Sequence, residues 1–318
     1  MGCPDWPKCF GSYVPPTEEA QLPDNYQEVY AQQRLDKNAR LTKYLQALGM
    51  ESLAERIAND PTIREEQPFN PVKTWIEYVN RLIGVIIGLL IFGTVAASLV
   101  FWRSQRSIVW FSLSALLLTV IQAWIGSIVV STNLLHGMIN VHMFLAIIIV
   151  GLLIYAMFKA QSHKADVLPS GFARKVNLLV AAGVLTMVVQ IALGVEVRAM
   201  VDTVARSFGY SQRSEWINQL PIGFKVHRTF SLLILGLHLG LVWVLLKVKK
   251  QNESLWKWGR YLAIITILEI VTGAIMGYFS IPAFIQPVHL LFATIIMGVQ
   301  FYVLLLVNKK ESMQAQPA

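Results

Sequence analysis

The chain has 318 residues, of which 55% are hydrophobic and only 14% charged, with a formal net charge of +8 at pH 7. That is too apolar for an ordinary soluble domain and fits a polytopic membrane protein. The positive balance does not point to nucleic acid, because most basic residues sit in short loops between apolar runs, as they do in membrane proteins.

Residues 1–75 are polar. Near their start, "GCPDWPKCFG" carries Cys3 and Cys9. An oxidising compartment permits a disulfide there; two free thiols, or a metal pair lacking its partners, are the alternatives. Residues 16–70 place apolar side chains at helical spacing, Leu41, Leu45 and Leu48 among them. They read as one or two amphipathic helices capping the outer face.

Seven apolar runs follow, near 76–101, 107–130, 138–158, 176–198, 223–247, 258–279 and 285–307. Each is long enough to span a bilayer, which takes about 20 residues. The predicted fold class is therefore an all-α polytopic membrane protein. Its linkers alternate in charge. One set holds Arg103 and Arg106, then Lys159, Lys164, Arg174 and Lys175, then Lys247, Lys249, Lys250, Lys257 and Arg260, with Lys309 and Lys310 in the tail. The other set, 131–137, 199–222 and 280–284, has only Arg206 and Arg213. The positive-inside rule places the first set and the tail 308–318 in the cytoplasm, and residues 1–75 outside the inner membrane. About 75 polar residues would then cross the membrane with no signal peptide or helix before them, so a helix preceding Met1 is expected.

An internal repeat organises the spans. "EYVNRLIGVIIG" from residue 77 matches "FKVHRTFSLLIL" from residue 224, setting Asn80 on His227 and Arg81 on Arg228, an offset of 147. At the same offset "NVHMFLAIIIVG" matches "PVHLLFATIIMG", setting His142 on His289, Ala146 on Ala293 and Gly151 on Gly298. Between them, Gln122 falls on Glu269 and Gly126 on Gly273. The chain thus reads as two pseudosymmetric halves, 76–158 and 176–307, joined by a linker at 159–175. The run 176–198 has no counterpart in the first half. The parent architecture is then eight helices, four per half, of which seven are present; a natural seven-helix protein is the alternative.

His227 and His289 each lie about one turn inside the outer end of their helices. Facing helices of a four-helix bundle build cofactor sites, and two imidazoles can ligate a haem iron axially. His142 and position 80 form the equivalent pair. A satisfied polar contact is the alternative for these histidines, and the recurrence of two related positions at one offset shifts the balance toward ligation. His238 returns to the face of His227 about 16 Å deeper; it reads as a hydrogen-bonded bundle histidine, with a second haem ligand as the alternative. His136 points elsewhere on its helix, and His163 lies in a basic loop. Arg81, Arg228 and Arg198 could fork haem propionates, with interfacial snorkelling as the alternative. Glu77 breaks the repeat, since its partner is Phe224. It reads as a general base or proton relay, or as an ion pair with Arg81 or Arg228.

The succession "GCPDWPKCFG", "IEYVNRLIG", the Gln-x-x-x-Gly helix, "HMFLA", "VHR" and "VHLLFA" resembles heme A synthase over nearly the whole chain. The resemblance implies an eight-helix membrane enzyme that oxidises the C8 methyl of heme O to the formyl group of heme A. It implies heme b held by His227 and His289 in the second half, with Arg228 nearby. It implies that His142 faces the iron of the substrate haem, that Glu77 is catalytic, and that Cys3 and Cys9 are the paired cysteines of many bacterial members. Where the family motif has Glu-x-x-His-Arg, this chain has Asn80 for the histidine, which leaves one side of the substrate iron open to turnover. Partners expected are heme O, an unidentified electron donor, membrane lipid, and heme O synthase or cytochrome oxidase assembly factors. The competing readings are a di-haem b-type cytochrome, which prefers paired histidines in both halves, and a haem transporter or chaperone, which has no use for Glu77.

Overall fold

The computed structural model describes residues 3, 5–59, 68–132, 136–161, 170–247, 249 and 252–309. Nine α-helices account for most of them: α1 Tyr26–Ala47, α2 Glu51–Asn59, α3 Pro71–Ser98, α4 Arg106–Ser131, α5 His136–Ala160, α6 Ser170–Ser207, α7 Ile222–Leu246, α8 Glu253–Tyr278 and α9 Ile285–Val307. Among the described residues, α3 to α9 are long and apolar enough to cross a membrane. The chain is an all-α polytopic membrane protein, as its composition requires. His163 lies outside the described residues, as does most of the linker after α5.

Helix starts follow local chemistry. The Asn70 side chain accepts a hydrogen bond from the Lys73 amide at 3.0 Å, with Pro71 opening α3. The Asn252 side chain accepts from Leu255 N at 2.8 Å, with Glu253 in the first turn of α8. Both satisfy amides that the helix cannot pair internally. Between α1 and α2, Gly49 takes φ +74°, which lets Met50 N reach Leu45 O at 2.8 Å and ends α1.

Two compact units emerge. The first comprises Met1–Val100 and Ser112–Ala146. Here α1 and α2 bury Leu41, Leu45, Ala54 and Ile57 against Ile128 of α4, with Met138 alongside. Asn38 Nδ2 donates to Ser131 O at 2.9 Å, tying α1 to the end of α4. Among the described residues of 16–70, α1 and α2 are the α-helices, against the one or two that its spacing predicts. Cys3 and Cys9 are joined by a disulfide. Both are fully buried in a cluster with Phe10, Leu22, Tyr26 and Tyr30, against which Phe69 and Tyr78 pack. The Asp5 carboxylate holds the loop by accepting from Phe10 N at 2.7 Å and Gly11 N at 2.8 Å. Burial, with Asp5 second, raises the Tyr30 hydroxyl above its ordinary pKa. Helix α3 buries only Thr74, Ile91 and Ser98.

The second unit comprises Phe101–Phe111 and Ile147–Ala318. Its core is a closed ring of four helices, with α6 against α7, α7 against α8, α8 against α9 and α9 against α6. On α7, Ile234, His238, Leu241 and Leu245 recur every three or four residues and face inward. Leu232, Leu239, Trp243 and Leu246 face outward and stay exposed. In hydrocarbon such a stripe meets lipid at no cost, so the inward row carries the packing information. Helix α6 corrects one boundary: the apolar run ends at 198, but the helix continues to Ser207. At about 57 Å it outreaches the roughly 30 Å hydrocarbon slab. Its last turns are paid for by packing, Val201 and Ala205 meeting Trp216 and Ile281 in one cluster. Arg213 clamps the chain before α9, with Nε donating to Ser280 O at 2.9 Å and a second donation to Ile281 O.

Candidate haem site

Besides His136, the first residue of α5, three histidines occupy the N-terminal turns of α5, α7 and α9, and each of these three packs on a glycine of the helix before it. A Cβ placed on Gly126 would lie 3.1 Å from His142 Cε1. The corresponding distances are 3.2 Å from Gly194 to His227 and 3.3 Å from Gly273 to His289. Any larger residue would push on the ring, so the glycines set where each imidazole can stand. Four residues before each glycine is a polar anchor. Gln122 Nε2 donates to the His142 carbonyl at 2.8 Å, and Gln190 Nε2 to the His227 carbonyl at 3.1 Å. The third anchor, Glu269, faces the His289 ring instead. Gln190 and Gly194 escape the 147-residue comparison because α6 has no partner there. The signal was nonetheless present: "QAWIG", "QIALG" and "EIVTG" each precede a histidine helix.

In the four-helix unit, the His227 and His289 rings stand 6.4 Å apart, centroid to centroid, with planes at 74°. Metal–nitrogen bonds of about 2.0 Å, plus about 1 Å from each nitrogen to its ring centre, place two axial imidazoles about 6 Å apart. The pair fits one iron. Its chemistry fits too. Thr272 Oγ1 donates to Glu269 O at 2.8 Å, so it accepts from His289 Nδ1 at 2.9 Å; Glu269 O lies 3.1 Å from the same nitrogen. That network puts the proton on Nδ1 and leaves the Nε2 lone pair for a metal. Glu269 Oε2 stands 3.2 Å from Nδ1, off the N–H line, buried and with no hydrogen bond of its own. His227 Nδ1 is buried without a hydrogen-bond partner.

His238 is different. It is 2% exposed, and both ring nitrogens are engaged. Thr266 Oγ1 donates to Leu262 O at 2.8 Å and so accepts from His238 Nδ1 at 2.8 Å. Gln300 Nε2 lies 2.7 Å from His238 Nε2 and donates to it. Both ring nitrogens are thus used in a crosslink of α7 to α8 and α9.

In the first unit, His142 is half-buried with Nδ1 unpartnered. Glu77 and Arg81, one helical turn apart, form an ion pair. The Arg81 guanidinium also lies 6.0 Å over the Trp6 ring, and Tyr78 OH donates to Tyr13 O at 2.7 Å. The disulfide loop therefore sits on the first turns of α3, beside Glu77. Asn80 is exposed, and among the described residues no hydrogen bond joins it to His142. Arg228 lies 5.9 Å over the Phe224 ring, and Arg198 pairs with Asp202 at 3.1 Å.

Membrane-spanning helices that bring two histidine rings together inside a ring of four helices define a class of protein, the all-α membrane proteins with a candidate metal-ligand pair in the bundle. The chain belongs to the COX15-CtaA family, described as cytochrome oxidase assembly protein, whose model matches residues 1–301. It is similar to proteins named heme A synthase. That of Rickettsia rickettsii (strain Sheila Smith) is 27% identical over 252 residues, covering 70% of this chain and 72% of the relative. That of Rickettsia conorii is 26% identical over the same length and shares. No solved structure matches significantly.

Proposed function

We propose that this chain is a heme A synthase, an oxidoreductase that converts the C8 methyl of heme O into the formyl group of heme A within the inner membrane. The family and the names of its relatives support an oxidoreductase acting on heme O. The observation that carries the finer reading is the 6.4 Å separation of the His227 and His289 rings, set against His142, whose partner position in the repeat holds Asn80. Two halves built alike, one with a matched pair and one without, suit one resident haem and one exchangeable one.

In this reading His227 and His289 hold heme b, with Arg228 beside them for a propionate. Bound there, heme b supplies one-electron redox chemistry. His142 binds the substrate iron, Gly126 and Gln122 fixing its ring and backbone. Asn80 is a poor ligand and leaves the opposite side open. Conversion of methyl to formyl takes two successive oxidations at one carbon, with loss of water at the end. Each hydroxylation takes one oxygen atom from dioxygen, and the other leaves as water with two protons and two electrons. Glu77 relays the protons, and Arg81 holds its carboxylate in place until a propionate competes for that guanidinium. The electrons come from a donor yet to be identified. The positive-inside pattern puts the disulfide loop and Glu77 on the outer side and the C-terminus in the cytoplasm.

Pyridine-hemochrome analysis of protein purified from cells making heme O tests this reading. Heme O or heme A beside heme b supports it. Heme b alone at two sites per chain favours the cytochrome.

A further inference from the structure

We propose that Glu269 is a positioning residue that acts through His289 to make its haem iron a stronger electron donor. This rests on the reading that His227 and His289 hold heme b. Three anchors occupy the same place in the Gln/Glu-x-x-x-Gly frame, each one helical turn before a glycine on which a histidine ring packs. Two are glutamines, and both spend their amide on the histidine's backbone carbonyl, leaving Nδ1 of His142 and His227 bare. Only the third is an acid. It does not copy the glutamines, for a carboxylate has no proton to give a carbonyl. Its Oε2 turns to within 3.2 Å of His289 Nδ1, and Thr272 adds a hydroxyl acceptor at 2.9 Å. The positions matching Thr272 are Ile125 and Leu193, which carry no acceptor. One histidine of three therefore has a carboxylate and a hydroxyl on the nitrogen away from the metal.

The physical consequence has a sign. Hydrogen bonding and negative charge at Nδ1 push electron density toward Nε2 and raise ligand basicity. A more basic ligand, and a carboxylate close to it in a low-dielectric interior, favour the oxidised iron over the reduced one. The reduction potential falls. His142, with a glutamine in the same frame, has no such bias. Electrons are thus driven away from the His227–His289 iron, toward an acceptor or toward the other half.

The experiment is a redox titration of the purified full chain, comparing wild type with Glu269→Gln and Glu269→Asp. Glu269→Gln is expected to keep the bis-histidine low-spin spectrum and shift the oxidised-to-reduced ratio at fixed potential tenfold or more toward reduced, about 59 mV upward for one electron. Glu269→Asp, which retains the charge, is expected to recover part of that shift. An unchanged midpoint in a Glu269→Gln protein that retains its low-spin haem overturns the proposal. So does loss of haem from both variants with the helical fold intact, which would make Glu269 a holding residue instead. Failure of the underlying reading looks different: the wild-type haem spectrum would then survive His227→Ala and His289→Ala.

Discussion

Replacing His238 with leucine separates a crosslink from a ligand. The side chain is 2% exposed and joins Thr266 of α8 to Gln300 of α9, at 2.8 and 2.7 Å. Leucine fills similar volume but makes neither bond. Thr266 keeps its bond to Leu262 O, so its loss is small. Gln300 is fully buried and its Oε1 is already without a partner, so its amide loses its one protein acceptor. A hydrogen bond contributes about 0.5–1.5 kcal/mol in water-soluble proteins. In membrane bundles the average is nearer 0.6 kcal/mol. Two bonds and a stranded amide give an expected loss of about 1–3 kcal/mol. Thermal unfolding in detergent, followed by helicity, reads that loss, and absorbance of the haem band reads ligation. The expected result is lowered stability with full heme b content. A folded His238→Leu protein that has lost its haem would refute the reasoning and restore His238 as a ligand.

Four further outcomes follow from the same geometry. Gly194→Ala sets a Cβ 3.2 Å from His227 Cε1, tighter than ordinary contact, so heme b affinity should fall and its spectrum shift, measured by haem titration of the apoprotein. Gly126→Ala presses on His142 instead and should reduce heme O turnover while leaving heme b content unchanged. Replacing Cys3 and Cys9 with serine opens a loop with a sequence separation of 6, worth about 2 kcal/mol by loop-closure entropy, read as earlier proteolysis before α3. Burial first, then Arg81, holds the Lys37 ammonium below its ordinary pKa. The folded chain therefore binds fewer protons at this site than the unfolded chain, and stability should rise with pH between the lowered value and about 10.4. Lys37→Gln should flatten that rise in pH-dependent unfolding.

Much of the fold was legible because membrane helices announce themselves. Apolar length marked the seven spans, and the 147-residue register matched Asn80 to His227 and His142 to His289. What stayed illegible depended on contacts between distant segments. The extension of α6 to Ser207 is held by Trp216 and Ile281, which no local pattern reveals. The loop closed by Cys3 and Cys9 packs on Tyr78 of α3, 69 residues beyond Cys9 in sequence. His238 could be read either way until Thr266 and Gln300 were seen to use both its nitrogens. Glu269 looked like a mere variant of Gln122 in the repeat. Only the geometry separates an amide that holds a backbone from a carboxylate that faces a ring.

The most direct test of the proposed activity is mass analysis of the haem extracted from membranes of a host that makes heme O but no heme A. Expression of the chain is predicted to yield haem that has gained one oxygen and lost two hydrogens, with Glu77→Gln and His142→Ala yielding little of it. Heme O recovered unchanged beside a fully loaded His227–His289 site would contradict the account.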